Sequence, residues 1–520
     1  MTLRERLVGG GALAAVEIAS GSAAVVELAG GMGFDLLVLD ARHAAVSPFS
    51  GELEDLVRAA TAARVPALVR VPEASPGTLN RALNDGASGL IVPAVESAAD
   101  ALAAVHASRY PPAGRRGAAP VVRAARFGLT PWDDYRETVN AENVVLASLE
   151  SPAGLAAAAE VVAVDGLDGV VLIALDLALA TGGSPASPDG IPGAAAAIAA
   201  VAAAGKVCAA AVADPAHAAA WRDAGCGLVV LGSDLAACAE AMTAMRSSLE
   251  IVPRSRPRAG GAPIDLRAAV DAGDVVLGCF ALLVEPVFVE QLGHAGFDYV
   301  ILDCEESGGD SYGLRLEQLA RAADASGLVV TTRPVENTPG AINRSLNAGS
   351  RCVFVPHVRN AAEAKAMVDA ARYPPLGRRG AAPVVRAARF GMEPWEAYLE
   401  RTNRENLVIA MIEDVEAVEH IEEIVAVPGL DGILVGTWDL AVELGCADYG
   451  PPAPPVMEHV AHVIDVTRRA GLVMSAHCWS ADAAVKYVEL GCQILIVSLD
   501  STLLLQGLRS LQEDAAALRG

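Results

Sequence analysis

Arg109 to Gly128 reads RYPPAGRRGAAPVVRAARFG, and Arg372 to Gly391 reads RYPPLGRRGAAPVVRAARFG. The two stretches differ only at Ala113 and Leu376, and they stand 263 positions apart. The same spacing lays GFDLLVLD (Gly33 to Asp40) over GFDYVILD (Gly296 to Asp303), and NRALNDG (Asn80 to Gly86) over NRSLNAG (Asn343 to Gly349). It also lays GLDGVVLIALDLA (Gly166 to Ala178) over GLDGILVGTWDLA (Gly429 to Ala441). Further on, AGKV at Ala204 meets AGLV at Ala470, a spacing of 266, so the second copy has three more residues in the intervening loop. Self-similarity over such a length is a duplicated domain rather than a repeated motif. The expected division is residues 1–250, a linker at 251–263 and residues 264–520. The linker contains VPRSRPRAGGAP (Val252 to Pro263), which is rich in Pro, Gly and Arg and has no apolar periodicity.

Within each copy, short Val/Ile/Leu runs alternate with helical patterns, which is the mark of βα units around a parallel sheet. The first copy's runs are LAAVEI, DLLVLD, ALVRV, GLIVPA, VVLASLE, GVVLIAL, VCAAAV and GLVVLG. The second copy's are VVLGCF, DYVILD, VVTTRP, CVFVPH, LVIAMIE, GILVGTW, LVMSAH and ILIVSL. Eight runs in about 250 residues predict a (β/α)8 TIM barrel in each copy. A doubly wound nucleotide-binding sheet is disfavoured, since no GxGxxG follows the first strand and GGGAL at Gly9 precedes it.

Composition narrows the functional classes. With 39 Lys+Arg against 63 Asp+Glu, the 520-residue chain carries a formal charge of -24, which repels phosphate backbones and anionic lipids. No nucleic acid and no membrane partner is therefore expected. The mean hydropathy of +0.38 is inflated by alanine, and runs such as Ile191 to Ala204 are too short to span a bilayer. The N-terminal segment does not read as a signal peptide, and nine scattered Cys without a CxxC pair fit a reduced, cytoplasmic setting. The Arg-rich stretch of Arg109, Arg115, Arg116, Arg123 and Arg126 has little aromatic interleaving, and reads as a subunit contact or a carboxylate trap rather than a nucleic-acid patch.

In such a barrel the chemistry gathers where the strands end. The first polar residues after the apolar runs are Glu17, Asp40 with His43, Arg70, Glu150 and Asp176 in the first copy. In the second they are Asp303 with Glu306, Arg333, Glu413 and Asp439. A lone carboxylate at a strand end is usually a cap, but the pairs Glu150/Asp176 and Glu413/Asp439 recur in both copies. Carboxylates on adjacent strands about 4.8 Å apart suit one hard divalent cation, Mg2+, Mn2+ or Co2+. An arginine beside them offsets charge on an enolate oxygen, and His43 supplies a base of suitable pKa. Together they suit 2-oxo acid enolate chemistry.

At these residues the sequence resembles the HpcH/HpaI family of metal-dependent pyruvate aldolases, over essentially all of each copy. The motifs are GFDLLVLDARH (Gly33 to His43), LVRVP (Leu68 to Pro72), NRALNDGASGLIVP (Asn80 to Pro93), RYPPAGRRG (Arg109 to Gly117), VVLASLES (Val144 to Ser151) and DGVVLIALDLA (Asp168 to Ala178). They resemble the family's GFDWxxIDxEH, VVRP, D-x-GA before LVP, RYPPxGxRG, Q-x-E and GPADLS. The resemblance implies a barrel of the phosphoenolpyruvate/pyruvate-domain type that cleaves or forms a bond between pyruvate and an aldehyde. By it, Glu150, Asp176, Glu413 and Asp439 match metal ligands, Arg70 and Arg333 the enolate-stabilising arginine, and Asp40 with His43 the acid/base pair, with Asp303 and Glu306 in the second copy.

The copies depart from that pattern unequally. Ile173 and Ala174 replace Gly-Pro in the stretch whose backbone N–H groups hold the substrate carboxylate, next to Leu175. The second copy keeps Gly436 but sets Trp438 before Asp439. His357 and His477, where the first copy has Ala94 and Ala211, are alternative imidazoles for the one lost at Glu306. The strand-five glutamine is Ser148 or Met411, and the aspartate lent by a neighbouring subunit is Asn84 or Asn347. The expected partners are a 2-oxo acid and an aldehyde, with the two copies as an intrachain pseudo-dimer that assembles further into a homo-oligomer. The alternatives are one catalytic barrel beside a scaffold or ligand-binding one, or a diverged decarboxylase or enolate-addition enzyme.

Overall fold

Each apolar run becomes a buried strand. The computed structural model describes residues 1–9, 11–253, 262–307, 314–446 and 453–519; most of the expected linker, 254–261, lies outside them. In the first copy the strands are β1 (Leu13–Ile18), β2 (Leu36–Asp40), β3 (Ala67–Arg70), β4 (Gly89–Val92), β5 (Val144–Leu149), β6 (Gly169–Ile173), β7 (Val207–Val212) and β8 (Leu228–Ser233). In the second they are β9 (Val276–Ala281), β10 (Tyr299–Asp303), β11 (Val329–Arg333), β12 (Cys352–Val355), β13 (Leu407–Ile412), β14 (Gly432–Val435), β15 (Val473–His477) and β16 (Ile494–Leu499). Each set of eight pairs in parallel with its sequence neighbours and closes, β8 on β1 and β16 on β9. The chain thus forms two TIM barrels of α/β type. No helix among the described residues is long and apolar enough to cross a membrane.

Alternate residues of every strand fill the barrel interior. Leu13, Ala15, Leu36, Val38, Leu68, Ile91, Leu146 and Val171 do so in the first barrel, over a floor of Leu3 and Leu7 from helix Leu3–Val8. The second barrel conserves volume by exchange. Tyr299 takes the place of Leu36, and Gly278 that of Ala15. A Cβ on Gly278 would fall 2.3 Å from the Tyr299 ring, so the larger ring needs the smaller neighbour. The Tyr299 hydroxyl donates to Leu495 O at 2.9 Å.

Three arginines of the Arg-rich segment make contacts within the first barrel. Buried Arg109 pairs with Asp168 at 2.8 Å and donates to the carbonyls of Asn140, Asn143 and Gly166. Arg116 donates to Asn80 and Asn84 and lies over the Tyr110 ring. Arg123 donates to Asp85 O. These three guanidiniums tie together loop carbonyls, amides and Asp168, while Arg115 and Arg126 of the same segment are exposed. Arg372, Arg379 and Arg386 repeat the pattern.

The two compact units do not break at the linker. One comprises Met1–Cys238 with Leu504–Gly520, the other Ala239–Leu503. The first barrel is therefore completed by most of helix Asp500–Arg519, and the second unit takes most of helix Asp234–Ser248. In the first unit, Arg222 donates to the carbonyls of Ala517 and Leu518, and Arg519 pairs with Asp35 at 2.7 Å. A Cβ on Gly507 would lie 2.2 Å from Ala237 O, an approach that only glycine permits. In the second unit, Arg246 donates to Gly296 O.

Candidate active site

The strand order brings the expected residues to one end of each barrel. Asp40 and Arg70 end β2 and β3 in direct register, as Asp303 and Arg333 end β10 and β11. Glu150 and Glu413 follow β5 and β13. Asp176 and Asp439 sit in the first turns of helices Ala174–Thr181 and Thr437–Glu443. β6 and β14 are shorter than their apolar runs, because Leu175 and Trp438 already belong to these helices and both are exposed.

In the second barrel Arg333 is forked on Asp303, with Nε at 2.8 Å from Oδ1 and Nη2 at 2.6 Å from Oδ2. Its Nη1 lies 2.8 Å from Glu305 Oε2, and its guanidinium carbon 5.2 Å from the centre of the Phe280 ring. Burial opposes the charged form of Arg333, but Asp303, Glu305 and Glu413 outweigh it and raise its pKa. Glu413 is buried and accepts the His357 backbone N–H at 2.7 Å, while the His357 ring faces Glu413, Asp414 and Glu305 at 3.5, 3.3 and 3.7 Å. Burial and then Asp439 raise the Glu413 pKa against His357 and Arg333. Burial likewise lifts Glu305 to about 7. Glu306 is exposed, so the half-buried acidic group of this loop is Glu305.

One side of this mouth is aromatic. Phe280, His477, Trp479 and Trp438 follow one another with ring-centre separations of 5.9, 3.9 and 5.6 Å. Burial, and then Arg333, depress His477 to about 3, so the ring is neutral at physiological pH. Its Nε2 is buried with no hydrogen-bond partner among the described residues.

The first barrel is wired differently. Arg70 donates to Glu17 at 3.2 Å instead of forking on Asp40, and its Nη2 stands 3.9 Å from Glu150. Glu17 occupies the place of Phe280. Burial raises its pKa to about 7, with Arg70 opposing and Asp40 reinforcing. Asp40 instead accepts the backbone N–H groups of Arg42 and His43, whose side chain is exposed. Glu150 Oε1 receives Arg42 Nη1 in a tight ion pair and the Ser148 hydroxyl at 2.9 Å. Ala174 is buried and Asp176 half-buried. The loops keep their shape, since Ala94 and His357 share a positive φ of 53° and 52°; only the side chain has changed.

Residues 17–241 and 276–506 each match the HpcH/HpaI aldolase/citrate lyase family. The chain belongs to this family. A hydroxypyruvate/pyruvate aldolase of Pseudomonas aeruginosa is 33% identical over 243 residues, 46% of this chain and 88% of that protein. A 4-hydroxy-2-oxo-heptane-1,7-dioate aldolase of Escherichia coli is 33% identical over 246 residues, 47% of this chain and 92% of the relative. The crystal structure of an HpcH/HpaI aldolase from Desulfitobacterium hafniense is 30% identical, covers 48% of this chain and 96% of its own, and gives a TM-score of 0.44. Each relative corresponds in length to one barrel of this HpcH/HpaI protein.

The HpcH/HpaI motif D-x-E-H shows what strand-end reading passed over. Its glutamate is Arg42 in LDARH and Glu305 in LDCEE. Charge at this position is therefore reversed between the copies.

For a divalent cation, the second barrel's donors fit. Glu413 and Asp439 are hard oxygen donors near enough to repel, and Gly436 leaves the room Glu413 uses: a Cβ there would lie 2.6 Å from Glu413 Cβ and Oε2. The first barrel's donors do not fit. Ile173 stands where Gly436 leaves space, and Arg42 already neutralises Glu150.

Proposed function

We propose that the second barrel is a carbon–carbon lyase site for a 2-oxo acid, acting through a pyruvate-type enolate. What supports the reading is the convergence of buried Glu413, the Asp303–Arg333 fork, Glu305 and His357 at one barrel mouth, within a family that includes pyruvate aldolases. Glu413 and Asp439 would hold Mg2+, Mn2+ or Co2+, which when bound polarises the 2-oxo group. Among the described residues no three His, Cys, Asp or Glu side chains form a metal-binding group, so these two carboxylates are the protein donors that would hold the ion.

Arg333 donates to the oxo oxygen and offsets the charge that develops there, with Asp303 holding its fork in plane. The substrate carboxylate meets the first-turn backbone N–H groups of Thr437 and Trp438, since that of Gly436 is donated to Ile412 O. In the cleavage direction, the His357–Glu305 pair takes the proton of the 4-hydroxyl group. The C3–C4 bond then breaks, its electrons enter the enolate, and an aldehyde leaves. Protonation at C3 yields pyruvate.

The test is deuterium exchange at the pyruvate methyl group with each metal. Exchange that disappears in Glu413→Gln and Arg333→Met supports the reading. Failure of the wild-type protein to exchange pyruvate, and to cleave or decarboxylate any 4-carbon 2-oxo acid, overturns it.

A further inference from the structure

The charge that faces the strand-five carboxylate has opposite sign in the two barrels. At Glu150 it is the Arg42 guanidinium, in direct contact; at Glu413 the equivalent position is Glu305. We propose that Arg42 is a built-in replacement for the divalent metal in the first barrel, so that the chain binds one metal, in the second barrel. The proposal rests on the reading of Glu413 and Asp439 as metal ligands.

Three features act together. Arg42 and the Ser148 hydroxyl both engage Glu150 Oε1, with Arg70 behind them, which leaves that oxygen saturated. Ile173 is buried at the position where, in the second barrel, even a bare Cβ would collide with the Glu413 carboxylate. Glu150 therefore cannot adopt the Glu413 placement beside the helix that carries the second carboxylate. A dication brought to Glu150 would also meet a fixed guanidinium within a few ångströms, where like charges repel strongly even at a screened protein surface. Affinity at least about a hundredfold below that of the second barrel follows. Charge at Glu150 is balanced without metal by direct contact with the Arg42 guanidinium, whereas Glu413 has only the His357 ring at 3.5 Å and the more distant Arg333 against Glu305 and Asp439.

Manganese titration of the chelator-treated full chain, read by calorimetry and by the electron paramagnetic resonance of free Mn2+, tests this without any assay of turnover. One equivalent is expected in the wild type, retained in Glu150→Gln and lost in Glu413→Gln. The double variant Arg42→Glu/Ile173→Gly is expected to gain a second equivalent. Arg42→Glu alone, which leaves the apolar packing intact, gains a weaker one, with circular dichroism confirming the fold. Two equivalents of similar affinity in the wild type overturn the proposal, as does a single site lost in Glu150→Gln but kept in Glu413→Gln. If the wild type binds none while the double variant binds one, the block by Arg42 and Ile173 stands and the second-barrel ligand assignment falls. If neither binds, both fall.

Discussion

The two barrel mouths share their strand order, their register and the turn at Ala94 and His357, yet several of the residues that face the mouth differ in charge or bulk. Where the first presents Glu17, Arg42, Ile173, Leu175 and Ala211, the second presents Phe280, Glu305, Gly436, Trp438 and His477. The scaffold tolerated this because strand ends contribute only their last side chains to the mouth, while the interior layers below are set by packing. Volume was rebalanced in those layers, as between Leu36 with Ala15 and Tyr299 with Gly278. At the mouth, charge was redistributed. Both barrels retain the two carboxylates and the arginine but not their geometry, because Arg42 and Glu17 redirect Glu150 and Arg70 respectively.

The comparison breaks most readily at the carboxylates. Glu413→Gln is expected to lower pyruvate methyl exchange by about 10³-fold, equivalent to about 4 kcal/mol, whereas Glu150→Gln stays within about twofold. Equal losses in the two variants would restore the symmetry of the barrels.

A thermodynamic feature is shared by the barrels: Asp234, after β8, is buried, accepts the N–H groups of Ala19 and Ser20 and has its pKa raised by burial, and Asp500 repeats this in the second barrel. Asp500 is fully buried at the end of β16, where it accepts the N–H groups of Leu282 and Leu283, and burial lifts its pKa to about 6. A carboxyl whose folded pKa exceeds its unfolded value of 3.8 binds more protons in the folded state between those values. Stability therefore falls as pH rises from about 4 to about 6, by up to about 3 kcal/mol for this group. Asp500→Asn should remove that decline from the second barrel's urea midpoint; an unchanged pH profile would show that Asp500 is ionised at little cost.

Gly507→Val comes next. It forces a side chain into the Ala237 carbonyl and should destabilise the first unit by about 1–3 kcal/mol, seen as earlier hydrogen exchange in β1 and β2 than in β9 and β10. The smallest effect concerns the aromatic wall. Trp479→Ala should raise KM for aryl-bearing 4-hydroxy-2-oxo acids about tenfold, about 1.4 kcal/mol, with pyruvate exchange unaltered. Equal loss with aliphatic substrates would mean that the wall supports the site rather than the acceptor.

Much of this was legible in the amino-acid order. Strands that are buried on both faces must be continuous apolar runs, so all sixteen could be read. Their ends blurred where the next helix also opens on apolar residues, as at Ala174 and Leu175. Arg70, Arg333, Glu150 and Glu413 announced themselves as the first polar residues after such runs. Arg42 and Glu305 did not, because they follow an already polar aspartate, and only the turn after β2 and β10 half-buries them while leaving His43 and Glu306 exposed. The intrachain partners of Arg109, Arg116 and Arg123 were not legible, since nothing in local sequence says that a guanidinium meets carbonyls and amides 30 or more residues away. The exchange of terminal helices was equally hidden: periodicity tells a helix which face to bury, not which barrel to bury it on.

That exchange has a consequence for how the chain comes into being. The ribosome makes the first barrel's eight strands before the second barrel, but the segment that completes this unit, from Leu504 onward, is made only after it. At about 5–20 residues per second, the 266 residues from 238 to 504 take roughly 13–53 s, during which the N-terminal half waits with its eighth helix missing. Its apolar flank must survive that interval unguarded or in the care of a chaperone. A nascent chain stalled anywhere before residue 504 is an unfinished first domain, however completely its second one has folded.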